Sequence, residues 1–416
     1  MMKKTLRRWQ VLPCAALALA LVVAGCSDNG DDDSSGGGAD VSVLGKANTA
    51  TGTPVEIFFP TTGSKAATYT HETEVAKATV SYINEYLGGI NGHPITLTVC
   101  EDALQAAKAR ECANKAVGSQ AVAAVAGTPS SPDAIVTVTS PAGLPFFTAN
   151  GGSAQSLSSP NTYVLGNSPG GLVGLPAALS KEVGAKKAAL ITIDAPLATA
   201  GIKALGPLAF GIAGVKMDLV PVPPGTADMT SQIQAAIDGG AGFYQILGDE
   251  SFCVAALRAM RTLGADKPTL IVNICANKKV ADQVPGGLDG LHVQISEDLN
   301  SGEDAKVFAA VLKKYNATGN EDGASAYRAL MSFQRALSGM TGDITRKSVI
   351  DHLNHQPATA EIPLSAGLTF QCGSKPVAVS PNICTKGILT ATSDKDGNLH
   401  DIKPYDVSEY LKPPTR

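Results

Sequence analysis

The chain has 416 residues and a formal charge of −4 at pH 7, from 33 Lys plus Arg against 37 Asp plus Glu. This mild acidity argues against a nucleic-acid partner, which needs a basic surface. The length exceeds the ~250–300 residues at which single cores stop growing, so two lobes are expected.

Taken in chain order, Lys3, Lys4, Arg7 and Arg8 precede an apolar run from Val11 to Ala24. A charged n-region followed by an apolar h-region predicts an export signal over residues 1–25. The run is shorter than the roughly 20 apolar residues of a spanning helix. Val23, Ala24, Gly25 and Cys26 resemble the lipobox of bacterial lipoproteins, in which cleavage before the cysteine leaves it N-terminal and lipid-modified. The resemblance implies a lipid anchor at Cys26 and an extracytoplasmic protein held to the bacterial cell membrane, since several acyl chains bind far better than one. The alternative is an ordinary signal peptide with a chance cysteine. Residues 26–50, in which SDNGDDDSSGGGAD follows Cys26, are expected to form a flexible tether, because Gly, Ser and Asp cannot bury enough surface to fold. Losing the four N-terminal cations with the signal takes the charge from −4 to −8.

The body then alternates. PVEIFFP (54–60) is a short apolar strand, followed by a helix with Val75, Thr79, Val80, Ile83 and Leu87 on one face. GGINGHP breaks that helix, ITLTVC is a second strand, DALQAAKARECANKAV a helix and AVAAVAG a third strand. KKAALITID, VKMDLVPV, GFYQILG and PTLIVN are further strands, separated by helices near 197–212, 228–238 and 250–263. Strands alternating with helices predict parallel sheets, so the fold class is α/β with two doubly wound lobes, one series before and one after about residue 165. Residues 302–340 read as mostly helical, and 368–411 as strands with turns such as SDKDGN.

Cys14 falls within the signal and Cys26 at the lipobox, which leaves Cys100, Cys112, Cys253, Cys275, Cys372 and Cys384. Export and an even count favour oxidation, although six cysteines allow about 15 pairings. Proximity favours Cys100 with Cys112, Cys253 with Cys275 and Cys372 with Cys384; reduced core cysteines are the alternative. No Cys/His cluster has zinc spacing and no P-loop occurs, so neither metal nor cofactor is expected.

The chain is expected not to be an enzyme. GNSPG at 166–170 matches the nucleophile-elbow pattern, but that mechanism needs the N–H of the residue after the serine, and Pro169 has none. HETEV lacks the second histidine of a zincin, and the six histidines offer no triad.

The lipobox, the stretch PTTGSKAATYTHETEVAKATVSYINEYLGGINGHPITLTVCEDALQAAKARECANKAV, and then VAGTPSSPDAIVTVTSPAGLPFFTANGG resemble the type I periplasmic solute-binding proteins of ABC importers, in the leucine/isoleucine/valine-binding family. The resemblance implies a monomeric substrate-binding protein that traps a small-molecule ligand between two closing lobes and delivers it to an ABC permease. It implies lobe one over 51–165 plus 297–350 and lobe two over 166–296 plus 351–416, with crossings near 165, 297 and 350. A receptor domain reporting to a membrane signalling partner is the competing reading, and an exported hydrolase the third.

Ligands in doubly wound sheets sit beyond the carboxyl ends of the strands. In lobe one those loops are 61–64, 128–131 and 148–152, rich in hydroxyls and helix-start N–H groups that suit a carboxylate. By the resemblance, Ser130, Ser131, Asn150 and Gly151 hold a ligand carboxylate and Tyr69 lies against its side chain, although Ser and Asn before helices also serve as plain caps. In lobe two the loops carry Asp194, Asp249, Glu250 and Asn273, of which the acids suit an ammonium. Relatives that take amino acids place an acid in the loop after the strand resembling TLIVN, where this chain has ICAN. The expected ligand is small and mostly apolar with a carboxylate or amide, a branched-chain or other hydrophobic amino acid first, an amide or aromatic acid second.

Overall fold

A computed structural model describes residues 39–65, 69–319 and 321–412. The export signal, Cys14, Cys26 and the first part of the tether lie outside the described residues. The first sheet is built from β1 (Val55–Thr61), β2 (Ile95–Glu101), β3 (Ala123–Ala126), β4 (Phe146–Thr148) and β5 (Thr162–Val164). Its order is β2-β1-β3-β4-β5, with every pair parallel. Helices α1 (Glu72–Tyr86), α2 (Ala106–Gly118), α3 (Pro132–Thr139) and α4 (Ala154–Ser158) connect these strands.

Covering both faces is what turns these strands into apolar runs. Successive side chains point to opposite faces, and the burial follows. Ile57, Phe59, Val125 and Phe147 enter one core, while Phe58, Ala124 and Phe146 enter the other beneath α2 and α3. Phe147 meets Phe333 and Phe370 edge-on at centroid distances of 5.4 and 6.3 Å, an arrangement that adds about 0.5–1.5 kcal/mol per pair beyond burial.

The second lobe follows the same plan. Helices α5 (Leu175–Glu182), α6 (Pro196–Ala213), α7 (Thr230–Asp238), α8 (Glu250–Leu263) and α9 (Lys278–Ala281) alternate with β6 (Lys187–Ile193), β7 (Lys216–Val222), β8 (Phe243–Leu247), β9 (Thr269–Val272) and β10 (His292–Ile295). The chain then returns to lobe one with α10 (Gly302–Lys314), α11 (Glu321–Ala336) and α12 (Arg346–Asn354), adds the short ladder β11 (Ala360–Glu361) and β12 (Thr369–Phe370), and ends with β13 (Gly387–Ser393) and β14 (Leu399–Asp406) in lobe two. The seven-stranded order is β14-β13-β10-β9-β8-β6-β7, parallel from β10 to β7 and antiparallel at β13 and β14.

Two expectations need correction. The third crossing does not fall near 350: Val349, Leu353, Ile362, Leu364, Phe370 and Cys372 are buried in the core of lobe one, and the chain enters the second sheet only at Gly387. Those apolar side chains cover a face of lobe one that would otherwise stay wet. Residues 41–44 also depart from the tether expected over 26–50. Val41–Leu44 form a short 3-10 helix capped by the Asp40 side chain, and Leu44, 5% exposed, is part of the core of lobe one.

All three expected disulfides form: Cys100–Cys112, Cys253–Cys275 and Cys372–Cys384. Among the described residues no helix is long and apolar enough to cross a membrane.

Candidate functional site between the lobes

The carboxyl ends of the parallel strands in both lobes carry the expected loops, and in lobe one a residue the sequence reading missed organises them. Glu72 opens α1 with 0% exposure. Its Oε2 accepts from Thr61 Oγ1 at 2.7 Å, and its Oε1 accepts from Ser325 Oγ and from the Thr128 N–H, each at 2.7 Å. One carboxylate thus ties the end of β1, the loop after β3 and α11. Burial raises its pKa from 4.5 to about 7, against the three donors, which lower it. Gly127 must stay without a side chain, because a Cβ there would lie 2.1 Å from Glu72 Oε1 and 2.8 Å from the Ala326 backbone nitrogen.

From Thr128 the network continues to the expected residues. Asn150 Nδ2 donates to Thr128 Oγ1 at 3.0 Å, and the Asn150 N–H donates to the Gly127 carbonyl at 3.0 Å. Thr148 Oγ1 donates to the Asn150 carbonyl at 2.8 Å. The structure therefore brings the loops bearing Ser130, Ser131, Asn150 and Gly151 together on one rim. Ser130 Oγ donates to Asp102 Oδ2 at 2.9 Å, and Asp102 is fully buried, which raises its pKa. Ser131 precedes α3 but makes no capping bond with its side chain. The Gly151 carbonyl accepts from Ser168 Oγ at 3.0 Å, so the serine of GNSPG braces the crossing to lobe two. Tyr69 is half-buried, with a left-handed φ of 56°. Its carbonyl accepts from the Glu72 N–H and from Thr62 Oγ1, both at 3.4 Å.

In lobe two the acids do local work. Asp249 caps α8: its Oδ1 accepts from the Phe252 N–H at 2.9 Å and from Ser251 Oγ at 2.7 Å, and these bonds hold the carboxyl below the usual range. Glu250 accepts from Asn277 Nδ2 at 3.1 Å and pairs with Lys279. Asp194 is exposed at the end of β6, its N–H donating to the Val222 carbonyl at 2.8 Å. Asn273 starts a 3-10 turn to Cys275, and this turn leaves Ile274 53% exposed.

Where the crossings meet, a cavity of about 110 Å³ is lined by Asn150, Asn167, Gln294, Ser296 and Arg328, among others. Arg328, on α11, is also absent from the sequence reading. Its side chain is 4% exposed, and Nη1 pairs with Glu297 Oε1 at 3.0 Å. The only cue in the chain is a single cation inside the apolar stretch ASAYRALMSF. Among the described residues no cluster of His, Cys, Asp and Glu could hold a metal ion.

Residues 57–372 match the family described as periplasmic binding protein. The chain belongs to that family. The resemblance to type I solute-binding proteins stands, and the two-lobed fold is shared with solved structures. An ABC transporter substrate-binding protein from Sphaerobacter thermophilus is 16% identical with a TM-score of 0.67, over 86% of this chain and 99% of that one. The branched-chain amino acid transporter substrate-binding protein LivJ from Streptococcus pneumoniae, in complex with isoleucine, is 17% identical with a TM-score of 0.60, over 85% and 100%. A fatty acid ABC transporter substrate-binding protein from Thermomonospora curvata is 15% identical with a TM-score of 0.64, over 88% and 96%. No curated protein matches the chain in sequence.

Proposed function

We propose that this family member is the lipid-anchored, extracytoplasmic substrate-binding protein of an ABC importer. It captures a small, mostly apolar solute bearing a carboxylate or amide between two closing lobes and hands it to a membrane permease. The observation that carries this reading is the rim of lobe one, where Glu72 fixes the Thr128 N–H and Asn150 so that hydroxyls and amides of neighbouring loops converge. Such donors suit one carboxylate or amide, and Arg328, the one cation among the described residues of the cavity lining, is already paired with Glu297, short of the several Arg and Lys that phosphates and polyanions need. Structural neighbours bound to isoleucine or named for fatty acids agree with an apolar solute. Ser130, Ser131, Asn150, Gly151 and Tyr69 are its proposed contacts in lobe one, with Asp194, Asp249 and Glu250 on the facing edge.

A thermal-shift screen across amino acids, amides, aromatic acids, sugars and phosphates tests the reading. A ligand that binds only the native state stabilises by mass action, by about 2.7 kcal/mol at 100-fold excess over Kd. A carboxylate or amide with an apolar body should raise Tm, and a sugar or phosphate as the sole stabiliser would contradict the proposed ligand. Anchoring has its own test. Cys26→Ser should move the protein from the salt-washed membrane fraction to the soluble fraction with its Tm unchanged, and retention on the washed membrane would refute lipidation.

A further inference from the structure

We propose that the solute is a monocarboxylate without an amino group, its carboxylate seated in the hinge cavity against Arg328 and Asn150 and its apolar body covered by Ile274. The inference rests on the proposed solute-binding function and narrows it. Three observations carry it.

The first is the cation. Arg328 lines the cavity and is almost wholly buried. Its guanidinium donates through Nη1 to Glu297, while Nε is buried without an acceptor among the described residues. A planar guanidinium can serve two carboxylates along different edges. Glu297 balances the charge of Arg328, and the guanidinium's place in the cavity lining puts a cation beside an incoming carboxylate. Asn150, tied through Thr128 to Glu72, adds a fixed amide to the same lining. The cavity, about 110 Å³, has room for a polar head and leaves the rest of the solute in the cleft.

The second is that, among the described residues, no Asp or Glu lines the cavity to pair with an ammonium. In an α-amino acid the ammonium sits on the carbon next to the carboxylate, so its acceptor must lie beside the cavity. Strands in a sheet are spaced about 4.8 Å apart, and β10, which supplies Gln294 to the cavity wall, lies three strands from β6. Asp194 at the end of β6 is therefore about 14 Å away along the sheet. Asp249 and Glu250 follow β8, two strands away, and are committed to the α8 cap and to Lys279 and Asn277. Glu297 faces Arg328 and does not line the cavity.

The third is what occupies the nearest loop instead. β9 neighbours β10 directly, and the turn after it exposes Ile274 by 53%. Cys275, fully buried and bonded to Cys253, fixes that turn from beneath. An exposed isoleucine in the loop that follows the strand next to β10 suits an apolar chain and is no acceptor for an ammonium.

Calorimetric titration of the purified full-length protein with matched pairs tests the inference: leucine against 4-methylpentanoate, and phenylalanine against 3-phenylpropanoate. In at least one pair the acid without an amino group should bind at least roughly ten-fold tighter than its amino acid. Ile274→Asp should shift that ratio toward the amino acid. Arg328→Gln alone would remove the cation that Glu297 pairs with, so the Arg328→Gln/Glu297→Gln double variant is the companion. With its Tm retained, it should lose roughly ten- to hundred-fold in affinity for the acid. Amino acids that bind as tightly as or more tightly than the acids, or a folded double variant with undiminished affinity, would overturn the inference and leave the proposed function standing. Failure of all four compounds beside a sugar or phosphate that binds would overturn both.

Discussion

Replacing Glu72 by alanine is expected to destabilise the protein by about 3 kcal/mol, the range for emptying a buried site and leaving donors unpaired, and to abolish solute binding. Three groups donate to this carboxylate: Thr61, Ser325 and the backbone of Thr128. The two hydroxyls can turn to other acceptors, but the Thr128 N–H cannot, and Thr128 also positions Asn150. Glu72→Gln separates shape from charge. Folding raises the Glu72 pKa from 4.5 to about 7, so the native state holds the proton more tightly than the unfolded chain. The stability contributed by that proton is fully present below pH 4.5 and is lost as pH rises through about 7, at up to about 1.4 kcal/mol per pH unit. The amide cannot ionise. Its stability relative to the wild type should therefore be flat below pH 4.5, improve between pH 4.5 and 7, and level off above. Urea denaturation of both proteins at pH 4.5, 6 and 8 checks this, and a constant difference across that range would refute the buried, easily protonated carboxylate.

Removing the Cys253–Cys275 bridge is expected to cost about 3 kcal/mol, as the chain-entropy relation gives for a loop of this length. The two cysteines are 22 residues apart, against 12 for each of the other pairs. Both are fully buried, one on α8 and one in the turn after β9. The Cys253→Ala/Cys275→Ala variant should therefore unfold at lower denaturant, and hydrogen exchange should quicken over residues 249–275, including the turn that presents Ile274. An unchanged midpoint and unchanged exchange would show that the bridge carries no stability.

The alternation of apolar runs and helices was enough to read two doubly wound lobes, because strands covered on both faces must be apolar throughout. The disulfide pairs were legible for a related reason: each closes one local helix–strand or loop unit. Residues 349–372 were not legible. Their apolar side chains say that the segment is buried but not against which sheet, and a ladder of two-residue strands leaves no periodic pattern. Ser130 and Asn150 were singled out by the family resemblance, on loops that the α/β alternation already placed beyond strand ends. Glu72 and Arg328 escaped because a charged residue on a helix ordinarily faces solvent, and only three-dimensional packing turns these two inward. Asp249 shows the converse: an acid at a strand end invites a ligand role, yet its bonds are those of a helix cap.

Capture of a solute between closing lobes is tested most directly by small-angle X-ray scattering of the protein with and without the strongest stabiliser from the thermal screen. The proposed closure would bring the two sheets together around the ligand, as in hinge-closing binding proteins generally. The radius of gyration should fall at saturation, with a midpoint at the same ligand concentration as the calorimetric binding curve. A radius that stays constant while the ligand is demonstrably bound would contradict capture by closure.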